Sequence, residues 1–142
     1  DQIGGANLFQ IVLDIDPDHA DALGGYAILL QILEEWQQSN EKVAALIDTT
    51  WVLNDSTGIL EPFVVDPEWS FEHRDVDHLD LRLIRAENYF FLADYELSLD
   101  EALALNEILE YTPGLSVDDF NLATIEGRTA LMNLIDALDE LI

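Results

Sequence analysis

The chain has 142 residues, which suits one folded domain, and 49% of them are hydrophobic, enough for a packed core. It contains no cysteine, which excludes disulfides, thiolate metal sites and a cysteine nucleophile. Asp and Glu number 30 against five Lys and Arg, and the resulting net charge of −25 disfavours nucleic acid and anionic membranes as partners. This surface suits a cationic partner, loosely bound cations or a high-salt, halophilic setting. The apolar runs are short, so no membrane insertion is expected.

The N-terminal third of the chain has the pattern of two helices. Apolar residues at helical spacing predict the first helix over residues 2–15. Asp16-Pro17 ends it, because proline disfavours helix in the residue before it. Asp18 is expected to cap a second helix that continues through Trp36.

The middle of the chain loses the helical pattern. Ser39 or Asn40 is expected to open a third helix over residues 41–53. Residues 54–76 then contain a turn-forming run and two prolines, while their apolar residues partly alternate. We interpret this stretch as a long irregular loop with room for a short hairpin. Loops of this length in a compact domain are usually functional or packed onto it.

Helical periodicity returns at residue 77, where Asp77 is expected to be the N-cap. Two apolar stripes on this helix predict that it is buried on most sides. Ser98 and Glu101 match a capping box that opens the next helix, which Pro113 ends. Thr124 is expected to cap a last helix. Its apolar stripe consists of Leu131, Leu134, Ile135, Leu138, Leu141 and Ile142.

Two stretches of the sequence resemble the tetratricopeptide repeat (TPR) family. Residues 9–23, FQIVLDIDPDHADAL, resemble the junction between two repeats, where one helix ends in a proline and the next begins. Residues 85–95, RAENYFFLADY, followed by residues 101–113, EALALNEILEYTP, are similar to a full repeat. Residues 97–100 stand as an extra segment between the two helices of that second match. Only about two repeats are covered.

The resemblance implies an all-α fold: a short right-handed TPR-like solenoid of antiparallel helix pairs, forming a single domain over residues 1–142. It places Ala27 and Ala102 at positions where a small residue lets two helices approach closely. It also implies binding of a peptide or protein on a concave groove, with no fixed catalytic residues. The chain is therefore expected to be a non-enzymatic interaction scaffold.

Candidate binding residues are the aromatic side chains and the scarce arginines. Aromatic residues could line a groove, although core packing is the alternative for most of them. Trp69 is singled out because it lies in the irregular segment. Arg82 and Arg85 could bind a carboxylate ligand, with internal ion pairs as the alternative. The predicted binding set is Tyr26, Trp69, Arg82, Arg85 and Tyr89.

A second hypothesis is a structural subunit that polymerises head to tail into a filament or ring. The first and last helices each carry an apolar stripe without an obvious second helix of their own pair, so one copy could cover the next. The alternative is that these stripes are covered within the monomer. The predicted assembly residues are Leu8, Phe9, Val12, Leu131, Leu134 and Leu138. Because the sequence starts at Asp1 without methionine, it is either a processed, exported protein or a trimmed fragment.

The sequence predicts no catalytic residues, no metal ligands and no cofactor. Glycine-rich phosphate loops and known nucleophile or zinc motifs are absent from the sequence. The acidic stretch 72–80 contains His73 and His78, but their spacing of five does not place both on one helical face. We interpret this stretch as a polar loop and a helix start.

Overall fold

The computed structural model describes residues 2–71, 76–111 and 125–142. In this part of the chain the fold is mostly helical, which confirms the predicted class at that level, with one added two-stranded sheet. The helices are α1 (Gln2–Ile15), α2 (Ala20–Ile32), α3 (Trp36–Ile47), α4 (His78–Phe91), α5 (Tyr95–Tyr111) and α6 (Ile125–Leu141). Strands β1 (Thr50–Asn54) and β2 (Ile59–Phe63) lie between α3 and α4.

The helix starts agree with the sequence in part. Asp77 caps α4 as expected, and its side chain forms a reciprocal capping box with Asp80. The predicted cap of α2 is wrong by one residue, because His19 Nδ1 accepts the N–H of Ala22 at 3.1 Å. Thr124 and the stop at Pro113 lie outside the described residues.

The helix pairs α2–α3 and α4–α5 repeat one another. Each pair is joined by a short turn whose middle residue has a left-handed backbone, Glu34 with φ 63° and Ala93 with φ 64°. The last turn residues, Glu35 and Asp94, both donate an N–H to the carbonyl five residues earlier at 2.9 Å. The predicted continuation of α2 through Trp36 is therefore wrong, since the turn separates Ile32 from Trp36.

Two buried serines extend the equivalence of the pairs. The hydroxyl of Ser39 donates to the carbonyl of Ala27 at 2.7 Å, and Ser98 donates to Ala86 at the same distance. Ala27 and Ala86 are 59 positions apart, as are Ser39 and Ser98. Both serines lie inside their helices, so their assignment as helix caps is wrong. A small polar residue lets the second helix approach the first and bond it.

The helices pack in chain order around two apolar cores. Each helix from α1 to α6 contacts the next, and α2 also contacts α4. The first core joins α1, α2, α3 and the segment that precedes α4. The second core joins α4, α5 and α6. Leu81 and Ile84 of α4 enter the first core while Leu79, Leu83 and Ala86 enter the second, which confirms that α4 is buried on most sides.

The segment between α3 and α4 begins with a β-hairpin. Residues 64–71, which we call the connection, follow the hairpin and pack on the first core through Val65, Trp69 and Phe71. The third helix was predicted to reach residue 53, but α3 ends at Ile47 and Trp51 belongs to β1. Aromatic and β-branched residues favour a strand there over a helix. The connection returns to the helices where the N–H of Asp66 donates to the carbonyl of Leu46 at 2.9 Å. Ser70 and Asp77 then pair just before α4.

Candidate interaction surfaces

The predicted binding residues do not gather into an open site. Tyr26 is buried, stacks on Phe9 and has the Lys42 ammonium 5.6 Å from its ring centroid. Tyr89 is half-buried, and Arg82 keeps part of its side chain exposed. As contact residues for a partner, Tyr26 and Trp69 would have to leave the core, and this role stays a prediction.

Trp69 attaches the connection to α2 by packing its side chain against that helix. Its side chain is 1% exposed, and its indole N–H donates to the carboxylate of Asp21 at 2.9 Å. A Cβ at Gly24 would lie 2.4 Å from the Trp69 ring, so only glycine leaves room for it. Trp69 therefore packs in the core, and its contact with a partner stays a prediction.

Arg85 is held by two carboxylates inside the protein. Its guanidinium contacts Asp48 at 2.7 Å and Glu101 at 3.2 Å. Burial alone would lower the pKa of Arg85, but the hydrogen bond to Asp48 and the two carboxylate charges together raise it. Arg82 approaches the same Glu101 at 3.8 Å. Both arginines thus make the internal ion pairs that stood as the alternative to ligand binding.

The predicted assembly residues divide into two groups. Leu131, Leu134 and Leu138 lie in the second core with residues of α4 and α5, so this part of the α6 stripe is covered within the monomer, whereas Leu141 and Ile142 at its end are exposed. Phe9 and Val12 are partly buried against the first core. Leu8 is exposed, and it shares one side of α1 with the exposed Ile11 and Ile15.

An apolar cleft opens between α1, α2 and the connection to α4. Its volume is about 320 Å³, and its walls include Phe9, Ile28, Ile32 and Phe71. Gly25 allows this arrangement, because a Cβ there would lie 2.7 Å from the Phe9 ring. The cleft is at the small end of ligand pockets, which measure roughly 300–1,000 Å³.

The hairpin is the most exposed apolar element among the described residues. We call residues Thr50–Phe63 the arm. The arm's strands pair antiparallel, and directly paired residues share one face of the sheet. The register therefore collects Trp51, Leu53, Leu60 and Pro62 on one face.

We call this set the apolar face of the arm. Its leucines are more than half exposed, Trp51 is 65% exposed, and Pro62 is also exposed. The opposite face is mixed, since Asn54 donates to Glu61 at 3.1 Å beside the apolar Val52. The arm therefore presents to solvent one face without a polar side chain.

The two backbone edges of the arm differ. Pro62 has no N–H, so the ladder accommodates it best at a non-hydrogen-bonded pair with Trp51. By alternation the pair Leu53 and Leu60 is of the same type, and the N–H and C=O groups of Trp51 and Leu53 point away from β2. The β2 edge lacks the donor at Pro62, whereas the β1 edge retains both donors.

The surroundings of the arm are acidic. The sequence has no Lys or Arg between Lys42 and Arg74. Asp55 and Glu61 lie on the arm, and Asp66 and Glu68 lie on the connection behind it. In the described ranges these four acids make no ion pair, since the salt bridges present involve Arg82 and Arg85. Negative charge thus lies in the turn of the arm and on the face opposite the apolar one.

The sequence contained a signal for the arm that helical periodicity obscured. The run from Thr50 to Leu53 is rich in β-branched and aromatic residues, and a turn-forming sequence ending in Gly58 follows it. Gly58 has φ 69°, the left-handed conformation that glycine adopts readily. Assigning Thr50 and Trp51 to the stripe of the preceding helix displaced the first strand from the prediction.

Residues 2–71, 76–111 and 125–142 bring no three His, Asp or Glu side chains together where they could share a metal ion. Over the same ranges no helix has the length and apolar character needed to span a bilayer. No protein-family model matches the chain, and neither the curated proteins nor the solved structures give a match.

Proposed function

We propose that this chain is a non-enzymatic interaction scaffold, built from TPR-like helix pairs, that binds a partner protein or peptide through its arm. The observation that carries the proposal is the apolar face of the arm, formed by Trp51, Leu53, Leu60 and Pro62 and open to solvent. Soluble proteins seldom expose contiguous apolar surface unless it contacts another molecule.

The equivalence of α2–α3 and α4–α5 supports the TPR-like part of the proposal. A TPR repeat has about 34 residues and consists of two helices and a turn. The equivalent alanines here are 59 positions apart, so about 25 residues are added between the pairs. The arm and the connection containing Trp69 account for this insertion. Insertions of this kind map to one face of a solenoid, which is often the binding face.

The weak attachment of the arm supports its role in contacting a partner. A two-stranded hairpin is marginally stable in water on its own. Neither strand makes an extensive contact with a helix, and each strand packs mainly on the other. Apolar side chains at such a position contribute little to the fold, so their exposure is better explained by an intermolecular contact.

Selection from a random peptide library displayed on phage tests the proposal. The library is selected on the wild-type protein and screened against Leu53→Lys, whose position is 54% exposed and therefore tolerates the change in the fold. We expect enriched peptides that share a sequence pattern and lose binding to the variant. Peptides that bind both proteins equally, or no enrichment at all, would contradict an arm-directed scaffold.

Self-assembly remains the alternative, and the exposed side of α1 favours it. Leu8, Ile11 and Ile15 form an unpaired apolar stripe on this helix. Sedimentation at high salt, where the mutual repulsion of copies is screened, measures it directly. A monomer at high concentration would exclude assembly through α1, whereas Leu8→Glu should dissolve any polymer that forms.

A further inference from the structure

We propose that the arm takes a cationic, extended segment of a partner protein, which adds as a third strand to the free edge of β1. This inference rests on the proposed function and specifies the chemistry of the partner at the same surface. Strand addition obtains its affinity from main-chain hydrogen bonds and its specificity from alternate side chains.

The edge of β1 provides the main-chain part of this recognition. The outward N–H and C=O groups of Trp51 and Leu53 are spaced as a strand-pairing partner requires. Pro62 removes a donor from the other edge, so β2 is the poorer template. The incoming strand is therefore expected on the β1 side.

The apolar face provides the side-chain part. An added strand directs alternate residues to the side of the sheet that carries Trp51 and Leu53. Apolar residues at these positions would cover side chains that are now 65% and 54% exposed. The ligand is thus expected to alternate an apolar residue with a polar one.

Charge determines the nature of the polar residue. Asp55 and Glu61 lie on the arm, and the sequence has no Lys or Arg between Lys42 and Arg74. A partner segment with Lys or Arg at its alternate positions gains attraction to these acids, while an acidic segment is repelled. A second copy of this chain carries −25 itself, which disfavours pairing between two arms at low salt.

Titration with three short synthetic peptides tests the inference. The first alternates Val with Lys, the second replaces Lys by Glu, and the third is the Lys peptide with N-methylated backbone amides that cannot donate. At about 0.1 M salt we expect binding of the first peptide only. On wild-type protein, that binding should slow hydrogen exchange at the amides of Trp51 and Leu53.

A matched pair of variants separates face-specific binding from general attraction to an acidic protein. Leu53→Lys lies on the apolar face and Val52→Lys on the opposite face of the same strand, with 54% and 51% exposure and the same charge change. We expect Leu53→Lys to lower the affinity for the Lys peptide by about tenfold or more, because the apolar contact is lost. Val52→Lys should lower the affinity for the same peptide by less than about threefold, as expected for a surface charge.

Several results would overturn the inference. Equal loss in both variants, or undiminished binding of the N-methylated peptide, would indicate unspecific attraction. Equal binding of the Glu peptide would remove the cationic requirement and leave the proposed function intact. Concentration-dependent protection of Trp51 in the free protein would identify a second copy as the occupant. Protection of the Trp51 and Leu53 amides only in the presence of neutral phosphatidylcholine vesicles would identify a membrane surface as the occupant of the arm.

Discussion

At the scale of single residues, Gly24 and Trp69 determine how the inserted segment attaches to the helices. The glycine lies inside α2, where this residue type normally costs about 1 kcal/mol of helix stability relative to alanine. The cost is tolerated because the Trp69 ring occupies the space of the missing Cβ. A Cβ at the next residue, Gly25, would lie 2.7 Å from the Phe9 ring, so both glycines permit close packing on α2.

Gly24→Ala is therefore predicted to destabilise the protein, although alanine favours helix. The added Cβ would meet the Trp69 ring at 2.4 Å, and displacing an indole from a packed core costs roughly 1–3 kcal/mol. Urea unfolding at fixed salt measures the change. Gly5→Ala is the control, because its Cβ would meet only the end of the Leu29 side chain at 3.2 Å. An equal change in the free energy of unfolding of the two variants would contradict the close packing of Trp69 on Gly24.

Glu87 is an acid whose burial opposes its charge. Burial raises its pKa above the ordinary value of 4.5, and the hydrogen bond from Gln31 offsets this only in part. The folded state then holds the proton more tightly than the unfolded chain does. Stability is consequently lost as pH rises from that ordinary value through the folded pKa.

Glu87→Gln should therefore be more stable than the wild type at neutral pH, and its advantage should shrink as pH falls towards 4.5. Thermal unfolding across this range measures the effect. Glu107→Gln removes the same charge from an exposed position of α5 and corrects for the general relief of repulsion. If both variants gain the same thermal stability at every pH, the burial of Glu87 does not affect the stability of the fold.

At the scale of elements, the arm and the connection behind it have opposite relations to the core. Neither strand of the arm makes an extensive contact with a helix, whereas the connection packs Trp69 into the first core against α2. Thr50 and Phe63 are paired across the base, so their Cα atoms lie about 5 Å apart. A short linker can join them without moving the helices.

Replacing residues 51–62 with a Gly-Ser linker is predicted to change the unfolding temperature by less than about 4 °C, because little buried surface is removed. Trp69→Ala, within the connection, should instead cost about 3–5 kcal/mol through loss of a buried indole. Circular dichroism and thermal unfolding compare the two. Collapse of helicity in the arm-less protein would show that the arm belongs to the core.

The elements also show where sequence patterns suffice and where they do not. The apolar spacing of α1 and α4 was enough to locate these helices and to predict the burial of α4 on most sides. Ser39 and Ser98 misled the prediction, because a serine can cap a helix or bond across one, and only the neighbouring helix distinguishes the two. Tertiary contacts, absent from the local sequence, determine their role.

The candidate site could be predicted less well than the fold. The sequence analysis singled out Trp69 of the irregular segment as a contact residue, whereas Trp51 is the exposed indole in the structure. Which one faces solvent depends on the hairpin register and on the space at Gly24, and neither follows from local periodicity.

At the scale of the whole molecule, charge is the dominant property. A net charge of −25 on 142 residues makes the compact state repel itself at low ionic strength. Counterions reduce this repulsion, since the Debye length falls from about 10 Å at 0.1 M salt to about 3 Å at 1 M. The same screening weakens attraction to a cationic partner, so stability and binding should respond to salt in opposite directions.

Raising NaCl from about 0.1 M to about 1 M at neutral pH is predicted to raise the unfolding temperature by roughly 5 °C or more. The increase should diminish near pH 4, where many carboxylates are protonated. Differential scanning calorimetry at the two pH values measures it. An unfolding temperature independent of salt at neutral pH would mean that the acidic surface does not limit stability.

We propose the arm as the partner-binding surface of a helix-pair scaffold. Amide chemical shifts of isotope-labelled protein, followed during titration with the tightest peptide from the library, test it most directly. We expect the perturbed amides to cluster in residues 50–63, while the amides of α2 and α4 keep their shifts. Perturbations centred on the cleft lined by Phe9, Ile28 and Phe71, with an unchanged arm, would contradict it.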